Sequence, residues 1–416
     1  MALTDKISAI AEAIRSKTGT TDTMTLAQMP ELINGIETGG GGFPNGMEWS
    51  ECSGINGYVR SVCYGNGLWV ALTTGSGIFY STDGMTWSQS NITNVHFNFV
   101  KYANGVWVAS TDGTSQMGIY YSADGMTWNR GNIPSSYCEY LVYSDGIWLA
   151  YMMSTSEGAL YYSADGITWA KPDAFNGSAY PPAIYAKGKW VAGGRYDESR
   201  GAYYSSDGAN WSRCGLSANY NLNEVFYGNG VFVACFDNAG LWYSTDGTSW
   251  TQSNMTSGNF VSFLNANGLW VAGGYDSGIL YSTDGMTWTQ SNTAIGHFKD
   301  IKNANGIWIA TASNFNVEGA NGIYYSEDGM TWTQSNIIDA VNIDLYCYSN
   351  GVWAFPSTFS GASITGLYYS IDGKSWLQSN IVDGGFNFIY HANGLWLAGR
   401  NDSKTLYYSL TWAPST

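Results

Sequence analysis

The residues able to do acid–base, metal or covalent chemistry in this chain are few and scattered. Its 416 residues include three histidines, His96, His297 and His391, and six cysteines, Cys52, Cys63, Cys138, Cys214, Cys235 and Cys347. No Cys-x-x-Cys pair joins the thiols. They stand in strand-like runs, so they read as buried and free, and neither a metal site nor a disulfide framework is expected. Paired carboxylates would serve glycoside hydrolysis. The loop acids Glu157, Asp197, Glu198, Asp276, Glu318 and Asp402 show no spacing that singles out a pair. No cofactor is expected. The chemistry better represented is recognition: aromatic rings beside arginine and asparagine, in segments that vary in length and composition. The candidate binding residues are Tyr137, Phe175, Tyr180, Arg195, Tyr196, Asp197, Arg200, Tyr220, Tyr275, Phe315, Phe359 and Arg400.

The elements that position them come from a repeat. The pattern Tyr-Ser-x-Asp-Gly-x-x-Trp occurs eight times, with its aspartates at Asp83, Asp124, Asp165, Asp207, Asp246, Asp284, Asp328 and Asp372. A second motif, Asn-Gly-(Leu/Val/Ile)-Trp or a near variant, occurs nine times, with its aromatic at Trp69, Trp107, Trp148, Trp190, Phe232, Trp270, Trp308, Trp353 and Trp396. Successive aromatics lie 38 to 45 residues apart. A fixed period near forty marks a repeat architecture. Within one repeat, Asn66-Gly67 and Asp83-Gly84 read as hairpin turns of the primed type between β-prone runs. Leu68–Leu72 is apolar on both faces, as a strand sandwiched between neighbours requires, and the closing Thr-Gln-Ser-Asn stretch is polar, as suits an outer edge in water. Each repeat therefore reads as a four-stranded antiparallel meander, and the chain as an all-β propeller of about nine blades. Eight is the runner-up, because the ninth repeat lacks its Asp-Gly turn. The segment Asn45–Ser50, which looks like an orphaned fourth strand, would complete that blade.

Composition agrees with a rigid, glycine-turned β protein: 52 Gly, 16% aromatic and 12% charged residues. A net charge of −15 argues against nucleic acid. No apolar run reaches membrane-spanning length and no signal peptide is read, so membrane insertion is not expected. The first forty residues differ from the rest. Ile7, Ile10, Ala11 and Ile14 form an amphipathic helical stripe, and Met29, Leu32, Ile33 and Ile36 continue an apolar face past Pro30. The domain reading is a helical attachment segment over 1–37, a Gly-rich linker over 38–44 and a propeller over 45–416.

The motif Ser81-x-Asp83-Gly84-x-Thr86-Trp87 and its copies resemble the Asp-box, or BNR repeat, of sialidases and related propellers. The resemblance covers nearly everything from residue 45 and implies the propeller fold, with the box as a structural turn remote from any active site. Sialidases of this kind use three arginines to clamp a carboxylate. Here Arg60, Arg130, Arg195, Arg200, Arg213 and Arg400 do not stand in the motif that opens such enzymes, so no enzymatic activity is expected. Leu3–Gly19 with Met29–Ile36 is similar to the N-terminal module of many phage and prophage tail proteins, which implies attachment to a tail or baseplate protein and a place in the virion.

Two of the four loop sets in a blade share each side of the ring. One side repeats Asn-Gly and Asp-Gly almost without change, while the other carries the variable segments, as a recognition surface on a rigid frame would. The tryptophans do not argue for sugar stacking, since 16 of 19 occupy the two repeat positions and read as packing. The function expected is a tail-associated receptor-binding protein whose variable face holds a host cell-surface glycan, with homo-oligomerisation possible. The alternatives are a glycan-cleaving hydrolase on the same scaffold and a structural propeller of the virion.

Overall fold

In a computed structural model the chain divides into two compact units, Met1–Glu48 and Trp49–Thr416. The structure describes residues 47–410 except 113–115, 135, 154–157, 173–178, 195–200, 217–219, 238, 276, 294–295, 313–320, 339–345 and 358–363. The helical segment and linker expected over 1–44 lie outside the described residues.

The second unit is a nine-bladed propeller of antiparallel sheets. Blade 1 runs Tyr58–Gly65, Leu68–Thr74, Gly77–Ser81 and Ser88–Gln89, hydrogen-bonded in that order. Blades 2 to 8 repeat this order, and in blade 3 the fourth strand shrinks to a single bridge between Tyr162 and Ala170. Blade 9 takes Phe386–Ala392, Leu395–Arg400 and Leu406–Leu410 from the end of the chain and its fourth strand, Ser50–Glu51, from the beginning. The register Ser50↔Tyr408 and Glu51↔Tyr407 closes the ring with the segment that the sequence left orphaned.

Each Asn-Gly turn forms as its residues dictate. Asn66 and Gly67 have φ of 49° and 76°, the paired positive values of a type I′ hairpin. The Asp-Gly turns are different. Only their glycines have positive φ, so they are not primed hairpins; the Ser and Asp side chains build them instead.

The second strands carry the core. Leu68, Val70 and Leu72 pack against Val100, Trp107 and Ala109 of blade 2, while Trp69 and Ala71 face Leu395 and Leu397 of blade 9. Trp69, Trp107, Trp148, Trp190, Trp270, Trp353 and Trp396 are fully buried between blades. Removing each indole from water contributes roughly 4–6 kcal/mol of hydrophobic free energy. Beside seven of the nine motif aromatics lies a ring from the first strand, such as Tyr64 against Trp69 at 4.9 Å and Tyr102 against Trp107 at 4.8 Å, while Trp270 and Trp308 meet Asn265 and Asn303 instead.

An asparagine after the fourth strand ties each of several blades to the next. The Asn91 side chain accepts from the Trp128 backbone N–H at 2.8 Å and donates to the Trp128 carbonyl at 2.9 Å. Asn132, Asn254, Asn292 and Asn336 hold Trp169, Trp288, Trp332 and Trp376 in the same way. Asn380 holds Trp49 across the chain ends. Where Ser53 or Gly215 replaces the asparagine, a short parallel backbone bridge joins the blades, and Cys52 or Cys214 precedes it. All six cysteines are free.

Candidate recognition face

The two faces of the ring differ in how completely their polar groups are used. On the Asp-Gly face every turn is closed by its own side chains. Ser81 Oγ donates to Asp83 Oδ1 at 2.8 Å and accepts from the Gly84 N–H, while Asp83 Oδ1 also accepts from the amides of Met85 and Thr86, each at 2.8 Å. The Trp87 indole N–H then donates to the Gly84 carbonyl. The other seven aspartates repeat these Ser and amide bonds, and the indole bond recurs at Trp128, Trp169, Trp211 and Trp332. The amide of Thr86 foremost holds the Asp83 carboxyl below its ordinary range, and the backbone and side chain of Asn210 bring Asp207 down to about 2. These aspartates are turn builders.

On the opposite face the first strands, which pack against one another around the centre of the ring, enter through a recurrent bulge. The register skips Arg60, Asn98, Glu139, Asn223, Val261, Lys299 and Asn387 in seven blades, and a longer shift falls between Tyr180 and Ala183. Bulges at a rim re-aim side chains and end pairing. Six of these seven skipped residues are polar, and several brace the rim: Arg60 Nε donates to Thr74 Oγ1, and Asn387 Nδ2 donates to the Val59 carbonyl. In blade 5 Asn221 and Asn223 both donate to Asp237, at 2.8 and 2.6 Å.

Among the described residues the exposed tyrosines share the bulged side, where aliphatic side chains such as Ile338 and Val382 are exposed as well. Tyr58, Tyr220 and Tyr275 stand 38%, 39% and 46% exposed on the bulged side, and Phe99 is exposed in the first strand of blade 2. Met126, Ile167, Met330 and Ile371 are exposed at the Asp-Gly turns. The Tyr275 ring lies over His297 with centroids 3.8 Å apart, which presents a fixed, half-covered aromatic face to solvent. His96 and His297 do share a position, each directly before a first strand, and His96 lies beside Gly75 in the loop of the preceding blade.

Of the residues expected to bind, Tyr220 and Tyr275 are exposed. Tyr137 is half-buried and its hydroxyl donates to Met153 Sδ at 2.7 Å, so the ring serves packing more than contact with a ligand. Arg400 is also engaged. Its guanidinium forms a two-pronged bond to Asp402, at 2.6 and 2.8 Å, reaches Asp383 at 3.6 Å and covers the Phe386 ring. The Asp402 bond pushes the Arg400 pKa further up. A group so paired is a loop brace. The backbone of Tyr180 pairs with Gly193. Phe175, Arg195, Tyr196, Asp197, Arg200, Phe315 and Phe359 lie outside the described residues.

Sequence reasoning missed Glu224. It lies in the first strand of blade 5, directly after the bulge at Asn223, where burial raises its carboxyl from 4.5 to about 7. It therefore keeps its proton at pH values where an ordinary glutamate has lost it, and in that form it can donate as well as accept. The signal was available: a lone acid inside the otherwise strand-like Leu222–Gly228.

No protein-family model matches the chain, and no curated protein matches it in sequence. Among solved structures, the computationally designed Ika8 protein is similar at a TM-score of 0.53 and 10% identity, covering 88% of this chain and 100% of that one. YCF48 from Cyanidioschyzon merolae gives a TM-score of 0.39 at 14% identity, covering 66% of this chain and 97% of that one. A GH74 enzyme from Niastella koreensis gives 0.36 at 15% identity, covering 86% of this chain and 74% of that one. The first likeness shows the fold; the other two add nothing to it.

Proposed function

We propose that this propeller is a recognition protein whose bulged face binds a neutral, hydroxyl-rich ligand, a cell-surface glycan, and that residues 1–37 attach it to a phage tail. The observation that carries the reading is the segregation of exposed tyrosines to that face. Rigid aromatic rings stack on the apolar faces of sugars at little entropic cost, and neighbouring amides serve sugar hydroxyls. Tyr220 adjoins Asn221 and Asn223, whose side chains donate to Asp237 and brace the rim beside the ring. Repetition of blades, or of copies on a particle, would add avidity to weak single contacts.

The test is binding of the labelled full chain to candidate bacterial cells before and after periodate oxidation of their surface glycans. Saturable binding abolished by periodate supports a glycan ligand. Binding indifferent to periodate contradicts it.

A further inference from the structure

The outer edge of one blade departs from the repeat. The fourth strand is the outermost of each blade, and its first residue is exposed in every one of them. Eight blades place a serine, threonine, alanine or asparagine there, such as Ser88, Asn129 and Thr251, while blade 8 places Leu377. Two more positions change with it. Ile371, between the Ser and Asp of the turn, stands where blades 1 to 6 have threonine, alanine or serine. Val382 stands where blades 1 and 5 have Thr93 and Thr256.

These side chains share one edge. Leu377 pairs with Tyr369, two residues from Ile371, and Gln378 beside it donates to the Val382 carbonyl at 3.2 Å. Blade 7 extends the edge, because Asn336 bonds both the N–H and the carbonyl of Trp376, next to Leu377, and Ile338 lies two residues further on. Ile338, Ile371, Leu377 and Val382 are 55–57% exposed; apart from Leu410 in blade 9, no other large apolar side chain among the described residues exceeds 46%. Together the four expose on the order of 400 Å² of apolar surface, the size at which a patch on a monomer marks an interaction site.

We infer that this edge is an interface between two copies of the chain, related by a two-fold axis beside Leu377. It stands apart from the glycan reading, since the edge belongs to neither face of the ring. Three features favour an identical edge as the occupant. The flanking charges are engaged within the chain, Lys374 by Glu327 and Asp383 by Arg400, so the edge neither selects a charged partner nor repels its own copy. An outermost strand leaves one side of its backbone unpaired, and the same strand run antiparallel across a two-fold axis satisfies it; Thr333–Ile338, at 6 residues, is the longest such strand in the ring. With the polar rim around it, the patch on two copies buries about 1,000 Å² in total, the lower bound of a specific interface.

The test is sedimentation velocity of the full chain from about 1 to 100 μM, at low and high salt. The triple variant Ile371→Thr, Leu377→Thr, Val382→Thr gives blade 8 the residues that blade 5 carries at the same positions, Thr245, Thr251 and Thr256, so the blade keeps its fold. Ile167→Thr, at an exposed turn of blade 3, removes an apolar side chain elsewhere. The expected result is a dimer in the parent and in Ile167→Thr, with its half-point moved to about tenfold higher concentration or more in the triple variant. Salt should strengthen the dimer, because it screens repulsion between chains of net charge −15. Amide exchange of the parent protein needs no variant: protection of the peptide spanning residues 371–382 should rise with concentration, while that of the peptide containing Thr289–Gln290 does not. A chain that stays monomeric throughout, an oligomer of another order, a dimer that salt weakens, or one as tight in the triple variant as in the parent overturns the inference.

Discussion

Replacing Asn380 with alanine removes the side chain that joins the two ends of the chain. Its Oδ1 accepts from the Trp49 N–H at 2.8 Å and its Nδ2 donates to the Trp49 carbonyl at 2.9 Å. A net hydrogen bond contributes about 0.5–1.5 kcal/mol, and the bonds are only partly buried, so the pair is worth roughly 1–2 kcal/mol. Because about 1.4 kcal/mol is a tenfold change in an equilibrium constant, local opening at Trp49 should become about 5- to 30-fold more frequent. Native-state hydrogen exchange followed by mass spectrometry reads this directly. Protection in the peptide spanning residues 47–53 should fall by that factor, while protection around Trp288, held by Asn254, stays unchanged. Asn380→Asp sharpens the test. A carboxylate can still accept from the N–H but sets a second oxygen against the Trp49 carbonyl, so it should lose at least as much as alanine. If Asn380→Asp exchanges like the parent protein, the two-bond account of ring closure is wrong.

Three further outcomes follow from the chemistry of single groups. The Asp207 carboxyl is depressed from 3.8 to about 2 by its bonds to Asn210, so its stabilisation is complete above 3.8 and is lost as pH falls through about 2; Asp207→Asn should flatten the acid limb of a stability–pH curve in that window. Glu224 runs the other way: its carboxyl is raised from 4.5 to about 7, so the folded state holds a proton that the unfolded state releases, and stability falls as pH rises from 4.5 to 7. Glu224→Gln should therefore raise Tm at pH 8 and leave it nearly unchanged at pH 4, and equal shifts at both pH values would refute this. Burial pushes the thiols of Cys52, Cys138, Cys214 and Cys235 up to about 12, so a thiolate-specific reagent at pH 8 should leave these four unlabelled in the native protein and label all of them after denaturation.

The sequence made the architecture legible because hairpin turns and strand patterns are local. Asn66-Gly67 and its copies demand positive φ, Leu68–Leu72 is apolar on both faces, and the leftover Asn45–Ser50 fits only an open blade. Contacts between blades were harder to read. Asn91 stands in a polar stretch that looks like a water-facing edge, and its true partner lies 37 residues on, in the next blade. Its recurrence after each Thr-Gln-Ser was the available signal. The Asp-Gly turn was placed correctly, and its Ser and Asp side chains bond the turn amides as their types imply, but the primed backbone read for it does not form because only its glycine has positive φ. Arg400 read as a candidate binding residue because the pattern Arg400-x-Asp402 does not state which way the turn folds. On the bulged face, Tyr220 and Tyr275 could be named because they stand in segments that break the repeat. Glu224 was passed over because it sits inside a strand that keeps it.

The central claim is that one face of the ring recognises a glycan and the other does not. The direct measurement compares two variants for saturable binding to cells with intact surface glycans. Tyr220→Ala with Tyr275→Ala removes exposed rings from the bulged face, and Met126→Ala with Met330→Ala removes exposed side chains from the Asp-Gly face. The account predicts that the tyrosine variant loses binding about tenfold or more, with its fold intact by circular dichroism, while the methionine variant binds like the parent. Loss of binding in the methionine variant with the tyrosine variant unaffected would place recognition on the opposite face and contradict the account.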